Sequence, residues 1–260
     1  MDLELSTDQK QIIDILTEQG NTHRIGPRKR IEFTGNTGAD DLLNDISEHP
    51  HVFVLGCVMD QQTKADKAWV IPYRVSCELG GFEFEKLLKP DQDWVRTFFI
   101  QKSLHRFPDR MSDYFYHAIQ TIDQKYNGDA ANIWAGTPTS ANVVRRFREF
   151  RGVGPKISTM AANVLLKVFK VPFADTTGID ISSDVHVRRV FARLGLVGEG
   201  ASNDEVIHRA RELNPEYPGI FDEVVWETGE GWCRPSNPRC GECFLNEYCP
   251  KIGVSKVQGS

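Results

Sequence analysis

The chain has 260 residues, 40% of them apolar and 26% charged, enough for one large domain or two modest lobes with a substantial core. A net charge of −5 argues against a protein coated in nucleic acid. No apolar run approaches bilayer-spanning length, and the opening Met-Asp-Leu-Glu-Leu lacks the basic and apolar regions of a signal peptide, so a soluble intracellular chain with no membrane partner is expected.

Apolar residues recur at helical spacing and no Val/Ile alternation suggests a sheet, so the expected fold class is all-α. In chain order the pattern predicts helices over 7–18, 40–47, 64–75, 83–88, 91–102, 110–126, 140–150, 157–169, 183–194, 203–213 and 217–229. Pro90, Asn127-Gly128 and Gly136-Thr137-Pro138 punctuate them. The stretch 20–38 is polar and basic with little periodicity, and reads as a loop or connector. Of the six cysteines, Cys57 and Cys77 stand alone, and Cys77 is expected to be a small buried hydrophobe.

The helices 140–150 and 157–169 each place apolar side chains on one face and therefore pack. Between them lies Arg151-Gly-Val-Gly-Pro-Lys156. Gly152 and Gly154 permit positive φ and close backbone approach, Val153 can plug the core, and Pro155 suits a helix's first position. Such a hairpin presents backbone N–H groups and a helix N-terminus to a phosphate, gripping backbone rather than bases. Around it Arg145, Arg146, Arg148, Arg151, Lys156, Lys167 and Lys170 stand against the single acid Glu149, a basic stripe that serves either nucleic acid or simply a solvated helix face.

Phe150-Arg-Gly-Val-Gly-Pro-Lys156 followed by Ala161-Ala-Asn-Val-Leu resembles the hairpin of the endonuclease III superfamily of helix-hairpin-helix DNA glycosylases. By that resemblance Lys156 is the lysine that attacks the sugar. From the residues alone, a lysine in a helix's first turn, near Arg151, is placed to favour the neutral amine, and the alternative is one more phosphate-binding lysine. Downstream, Asp184-Val-His186 resembles the family's Asp-x-His stretch, which implies that Asp184 stabilises charge developing on the sugar and helps move protons. A helix N-cap is the plainer reading of Asp184. The chain between the two is longer than expected for endonuclease III, by an insertion over 171–180 that brings Asp175 and Asp180 in as competitors.

Cys233, Cys240, Cys243 and Cys249 form C-x6-C-x2-C-x5-C, four soft sulfurs suited to an iron–sulfur cluster or to zinc. Endonuclease III uses this spacing for a 4Fe-4S cluster, and the resemblance implies the same cofactor, with a structural role. Arg234 and Arg239, in the loop between the first two cysteines, are candidate contacts to DNA phosphates. Met59-Asp-Gln61-Gln62-Thr63 resembles the glutamine-bearing segment of endonuclease III and, more closely, of MutY adenine glycosylases. That resemblance makes Gln62 the expected wedge filling the hole left by a flipped nucleotide, and the plainer reading of the segment is a helix N-terminus with polar capping. Where MutY enzymes carry a catalytic glutamate, this chain reads Gly56-Cys57-Val58, so the MutY mechanism is not expected and Cys57 is a candidate lining of the base pocket.

The resemblance covers about 50–250 and implies a two-lobed fold: a helical-barrel domain over 48–170 with the hairpin at 140–169, and a second lobe from 1–47 plus 171–260 with the cluster at 233–249. It implies a monomer acting on double-stranded DNA with a damaged or mismatched base, cytoplasmic and nucleoid-associated or nuclear. The expected activity is base excision with β-elimination at the resulting abasic site. Alternatives are a monofunctional glycosylase and a non-catalytic iron–sulfur protein that binds or senses damaged DNA. The target base is not readable from the residues.

Overall fold

The structure, a computed structural model, describes residues 5–254, and among them there is no β-strand. The described chain divides into two compact units, residues 5–26 with 175–254, and residues 27–174. The first unit opens with α1 (Thr7–Ile25), started by a capping box in which Ser6 and Gln9 satisfy each other's backbone N–H groups. The helix runs on past 18 because Gly20 is a contact point rather than a stop. A Cβ there would lie 2.4 Å from the Ile220 carbonyl oxygen, so α1 meets the 3-10 turn Pro218–Phe221 backbone to backbone.

Residues 27–47, assigned by sequence to the lobe with the termini, belong to the second unit. Asn44 explains why the 27–36 connector is fixed there: its amide accepts from Ile31 N–H and donates to Ile31 O, both at 2.8 Å, while Asp40 accepts the Thr34 N–H and hydroxyl. The unit continues through α2 (Thr37–Asn44), α3 (Pro50–Met59), α4 (Ala65–Trp69), α5 (Ile71–Glu78), α6 (Phe84–Leu87), α7 (Gln92–Gln101), α8 (Pro108–Tyr126), α9 (Ser140–Phe147) and α10 (Pro155–Lys167).

Helix α3 is absent from the sequence expectation. It is buried along its whole length and, His51 apart, apolar all round, so it carries no amphipathic period to detect. It is the unit's central element, packed by α2, α4, α5, α8 and α10, with Phe53 ringed by Trp69, Trp134, Phe147 and Phe169 at centroid distances of 5.2–6.3 Å. The single helix expected over 64–75 is two, α4 and α5, because Pro72 in the first turn of α5 has no N–H to continue the ladder. Cys77 lies on the exposed side of α5, contrary to expectation, and Cys57 is the buried thiol.

The first unit resumes with α11 (Val185–Arg193), α12 (Asn203–Leu213) and α13 (Asp222–Gly231), then the irregular cysteine segment with one 3-10 turn, Cys240–Glu242. Helices α11 and α13 cross closely at Gly229, where a Cβ would come within 2.8 Å of the His186 Cβ.

Candidate functional site

The hairpin forms as its residues dictate. Thr139 caps α9 by accepting the Asn142 N–H, and the turn reaches α10 through Gly152 (φ +83°), buried Val153 and Gly154. The Tyr114 ring lies over Gly152, whose hypothetical Cβ would be 2.3 Å from it. Gly154 caps α10, and nothing lies within 4 Å of where its Cβ would be, so the first turn of α10 faces open space. Much of the basic stripe is committed to protein. Arg151 pairs with Asp113 at 2.8 Å, Arg145 with Glu149 at 2.9 Å, Arg146 donates to Ile133 O, and Lys167 is buried. Arg148 and Lys156 are exposed.

Lys156 lines an open cavity of about 820 Å³ with Asp60, Gln62, Lys64, His105 and Arg106. Asp60 ends α3, and burial pushes its pKa up against the opposing pull of Lys156 and the Trp69 side chain. Asp60 is the one acid among the described residues that line this cavity with Lys156. Arg151, expected to favour the amine, is engaged with Asp113. Gln61 is turned inward, its amide donating to Val58 O at 2.8 Å, while Gln62 is exposed and held at φ +53°, a left-handed conformation costly for a non-glycine residue. Beneath this turn His105 Nδ1 accepts the Phe107 N–H at 3.1 Å. Its Nε2 is buried beside the Met59 and Gln61 carbonyls without a well-aligned hydrogen bond, and burial lowers its pKa. Cys57 is fully buried and does not line this cavity. Asp60 and His105 were missed in the sequence.

In the other unit, Asp184 caps α11, its Oδ1 accepting from His186 N at 2.8 Å and Val187 N at 3.0 Å. Its competitor Asp180 is held by both guanidinium arms of Arg211 at 2.7 Å, a structural pair, and Asp175 faces the Thr177 hydroxyl at 3.4 Å. Arg189 ties α11 to the cysteine segment, donating to Cys233 O at 2.6 Å and Gly229 O at 2.9 Å. Arg193 donates to Arg234 O at 2.7 Å and faces Cys233 Sγ at 3.4 Å.

Cys233, Cys240, Cys243 and Cys249 line one cavity with Val190, Leu194 and Leu245. Zinc would need its donors about 2.3 Å from a single point. Among the described residues no three His, Cys, Asp or Glu are so placed for one ion. Four thiols spread around an apolar cavity fit a multi-iron cluster, in which each sulfur holds a different iron. Burial raises the pKa of Cys243 and Cys249, so the thiolates such a cluster needs must be stabilised by its own iron. Arg234 is exposed on the loop, whereas the Arg239 guanidinium is paired with Glu242.

Residues 233–249 match the family described as "Iron-sulfur binding domain of endonuclease III". The chain is 34% identical over 97 residues to Endonuclease III of Thermotoga maritima (36% of this chain, 42% of the relative). It is 30% identical over 141 residues to Endonuclease III-like protein 1 of Gallus gallus (53% and 43%). It therefore spans under half the length of these curated relatives. In fold it matches a trapped endonuclease III–DNA covalent intermediate, with a TM-score of 0.59 at 16% identity over 93% of this chain and 96% of that one. It also matches a thermostable thymine-DNA glycosylase, with a TM-score of 0.61 at 15% identity over 94% and 96%. The chain is similar to endonuclease III in sequence over part of its length, and it shares that enzyme's fold. This endonuclease III-like chain carries the helix-hairpin-helix fold and an iron–sulfur segment at its four clustered cysteines. Among the described residues no helix is long and apolar enough to cross a membrane.

Proposed function

We propose that this chain is a DNA base-excision glycosylase with associated abasic-site lyase activity, acting as a monomer on duplex DNA that holds a damaged or mismatched base. The observation that carries the reading is Lys156, exposed in the first turn of the hairpin's second helix and opening onto a cavity large enough for a flipped nucleotide, with Gln62 strained and exposed on the same wall. In this reading Gly152 and Gly154 bring the duplex backbone against the start of α10, and exposed Arg234 adds a phosphate contact. Arg239 contributes only by exchanging Glu242 for phosphate. Gln62 fills the vacated stack.

Lys156 Nζ attacks C1′, the new N–C bond forming as the glycosidic bond breaks, and the base leaves with the electron pair and takes up a proton. Opening of the sugar ring gives a protonated Schiff base. Loss of a C2′ proton then expels the 3′ phosphate. Asp184 steadies positive charge on the sugar while capping α11. The four cysteines hold a 4Fe-4S cluster, which when bound organises the segment 233–254; no bond-making step is assigned to it.

A second reading makes Lys156 a DNA contact, with water as the nucleophile of a monofunctional enzyme; the acid Asp60 on the same cavity wall favours it. The experiment is base release from duplexes each bearing one candidate lesion, comparing wild type with Lys156→Ala and Asp184→Asn. The proposal expects one lesion class to lose its base with wild type and neither variant to act at a comparable rate. Base release that survives Lys156→Ala establishes the monofunctional reading. Tight binding with no release from any duplex supports the non-catalytic one.

A further inference from the structure

We propose that Arg193 is the cationic partner of the iron–sulfur cluster, a positioning residue that sets the cluster's reduction potential through a hydrogen bond and a positive charge at Cys233 Sγ. The inference rests on the four cysteines holding a 4Fe-4S cluster.

Arg193 closes α11, and its last turn touches both ends of the cysteine segment. The part-buried guanidinium donates to Cys233 Sγ at 3.4 Å, to Arg234 O at 2.7 Å and to Pro235 O at 3.1 Å. Its own carbonyl oxygen accepts from the Cys249 thiol at 3.6 Å and from the Ile252 N–H at 3.2 Å. A guanidinium suits this place because its rigid fork can hold two carbonyls while a further N–H reaches the sulfur, and it stays charged when partly buried.

The charge around the cavity is one-sided. Among the described residues that line it, the charged side chains besides the cysteines are Arg193 and Lys251, and there is no acid. Of the two cations, the guanidinium is the one hydrogen-bonded to a cysteine sulfur. Arg189, the other arginine at this segment, grips main chain instead, Cys233 O and Gly229 O.

In the structure Cys233 carries a thiol. In the loaded protein the same sulfur is a thiolate, a stronger acceptor for the same N–H. Four thiolates bring more negative charge than a cubane of iron and sulfide brings positive, so the cavity must hold an anion against largely apolar walls. A fixed cation beside that anion favours the state with one more electron, and an N–H···S bond, which draws electron density from the sulfur, acts in the same direction. Arg193 therefore raises the potential and makes loss of an electron harder, which suits a cluster that holds the segment together and takes no part in bond making.

The test is the midpoint potential of one cluster couple in the full chain, measured by protein-film voltammetry for wild type, Arg193→Gln and Arg193→Lys, with iron counted per chain. Arg193→Gln leaves the main-chain bonds to Cys249 and Ile252 and the grip of Arg189 on Cys233, so the segment should keep its iron. Its midpoint should fall by about 59 mV, which is about a tenfold drop in the ratio of reduced to oxidised cluster at fixed potential. Arg193→Lys keeps the charge without the fork, and that ratio should fall by only about threefold. A ratio for Arg193→Gln within about twofold of wild type, or above it, would show that the side chain only pins the 233–235 turn; the proposal would then be overturned and the cluster reading left intact. If the glutamine variant does not retain its iron, Arg193→Lys decides, because a midpoint equal to or above that of wild type would mean that the lost bond to Sγ has no effect. Wild type that binds no iron at the four cysteines overturns the cluster reading and this inference with it.

Discussion

Two glycines of one turn are asked for opposite things. Gly152 sits at φ +83° under the Tyr114 ring, so Gly152→Ala meets both backbone strain and a clash, whereas Gly154 has an extended backbone facing open space. Gly152→Ala should cost about 2–4 kcal/mol in urea unfolding. Gly154→Ala should change stability by no more than about 1 kcal/mol in either direction, yet weaken duplex binding if DNA backbone approaches that face. Equal stability losses would contradict this division. Asp184 likewise carries two duties that substitution separates. Asp184→Asn keeps an oxygen for the His186 and Val187 amides and should melt like wild type, while Asp184→Ala loses the cap and about 1 kcal/mol. The residues most legible in sequence were those with motif neighbours, Lys156, Asp184 and the four cysteines. Asp60 was not, because a single acid has no spacing to betray it.

Helix α3 sets both the fold of its unit and the position of the site. Its uniform apolarity hid it from a reading based on periodicity, while amphipathic α8, α9 and α10 were found because their polar faces stay in water. Breaks were legible only where Gly or Pro marked them: Asn127 and Gly128 end α8 with positive φ as expected, but the effect of Pro72 on the 64–75 run was overlooked. Burying α3 has a consequence for pH. His51, in its first turn, lies against Phe82 O, and burial lowers its pKa from 6.5 to about 4. Its folded pKa is depressed, so the unfolded chain binds more protons between about 6.5 and 4, and stability falls as pH drops through that window. The loss contributed by this residue is on the order of 3 kcal/mol. Urea titrations at pH 7 and pH 4 should show it, and His51→Gln should remove much of the difference. An unchanged acid limb in that variant would mean the imidazole is not the titrating group.

At the scale of the whole molecule, an acidic chain confines positive charge to where it is useful. The net charge of −5 disfavours DNA as a sum, yet the cavity wall holds Lys64, Lys67, Arg106 and Lys156 against one acid. Composition shows the sum and not the grouping, which depends on α3, α4, α10 and the 103–107 turn coming together. The cysteine segment has little regular structure of its own, being held by Arg189, Arg193 and one 3-10 turn, so its order should depend on the cluster. Purified protein should contain about four irons per chain, and Cys243→Ser should lose iron and destabilise its unit. About one zinc per chain and no iron would contradict the assignment.

The central claim is that Lys156 makes a covalent bond to the sugar of an excised or abasic nucleotide. The most direct measurement is borohydride trapping on an abasic duplex, followed by peptide mapping of the adduct by mass spectrometry. The account predicts one reduced adduct, carried by Lys156 and abolished in Lys156→Ala. An adduct on another lysine, or undiminished trapping by Lys156→Ala, would contradict it.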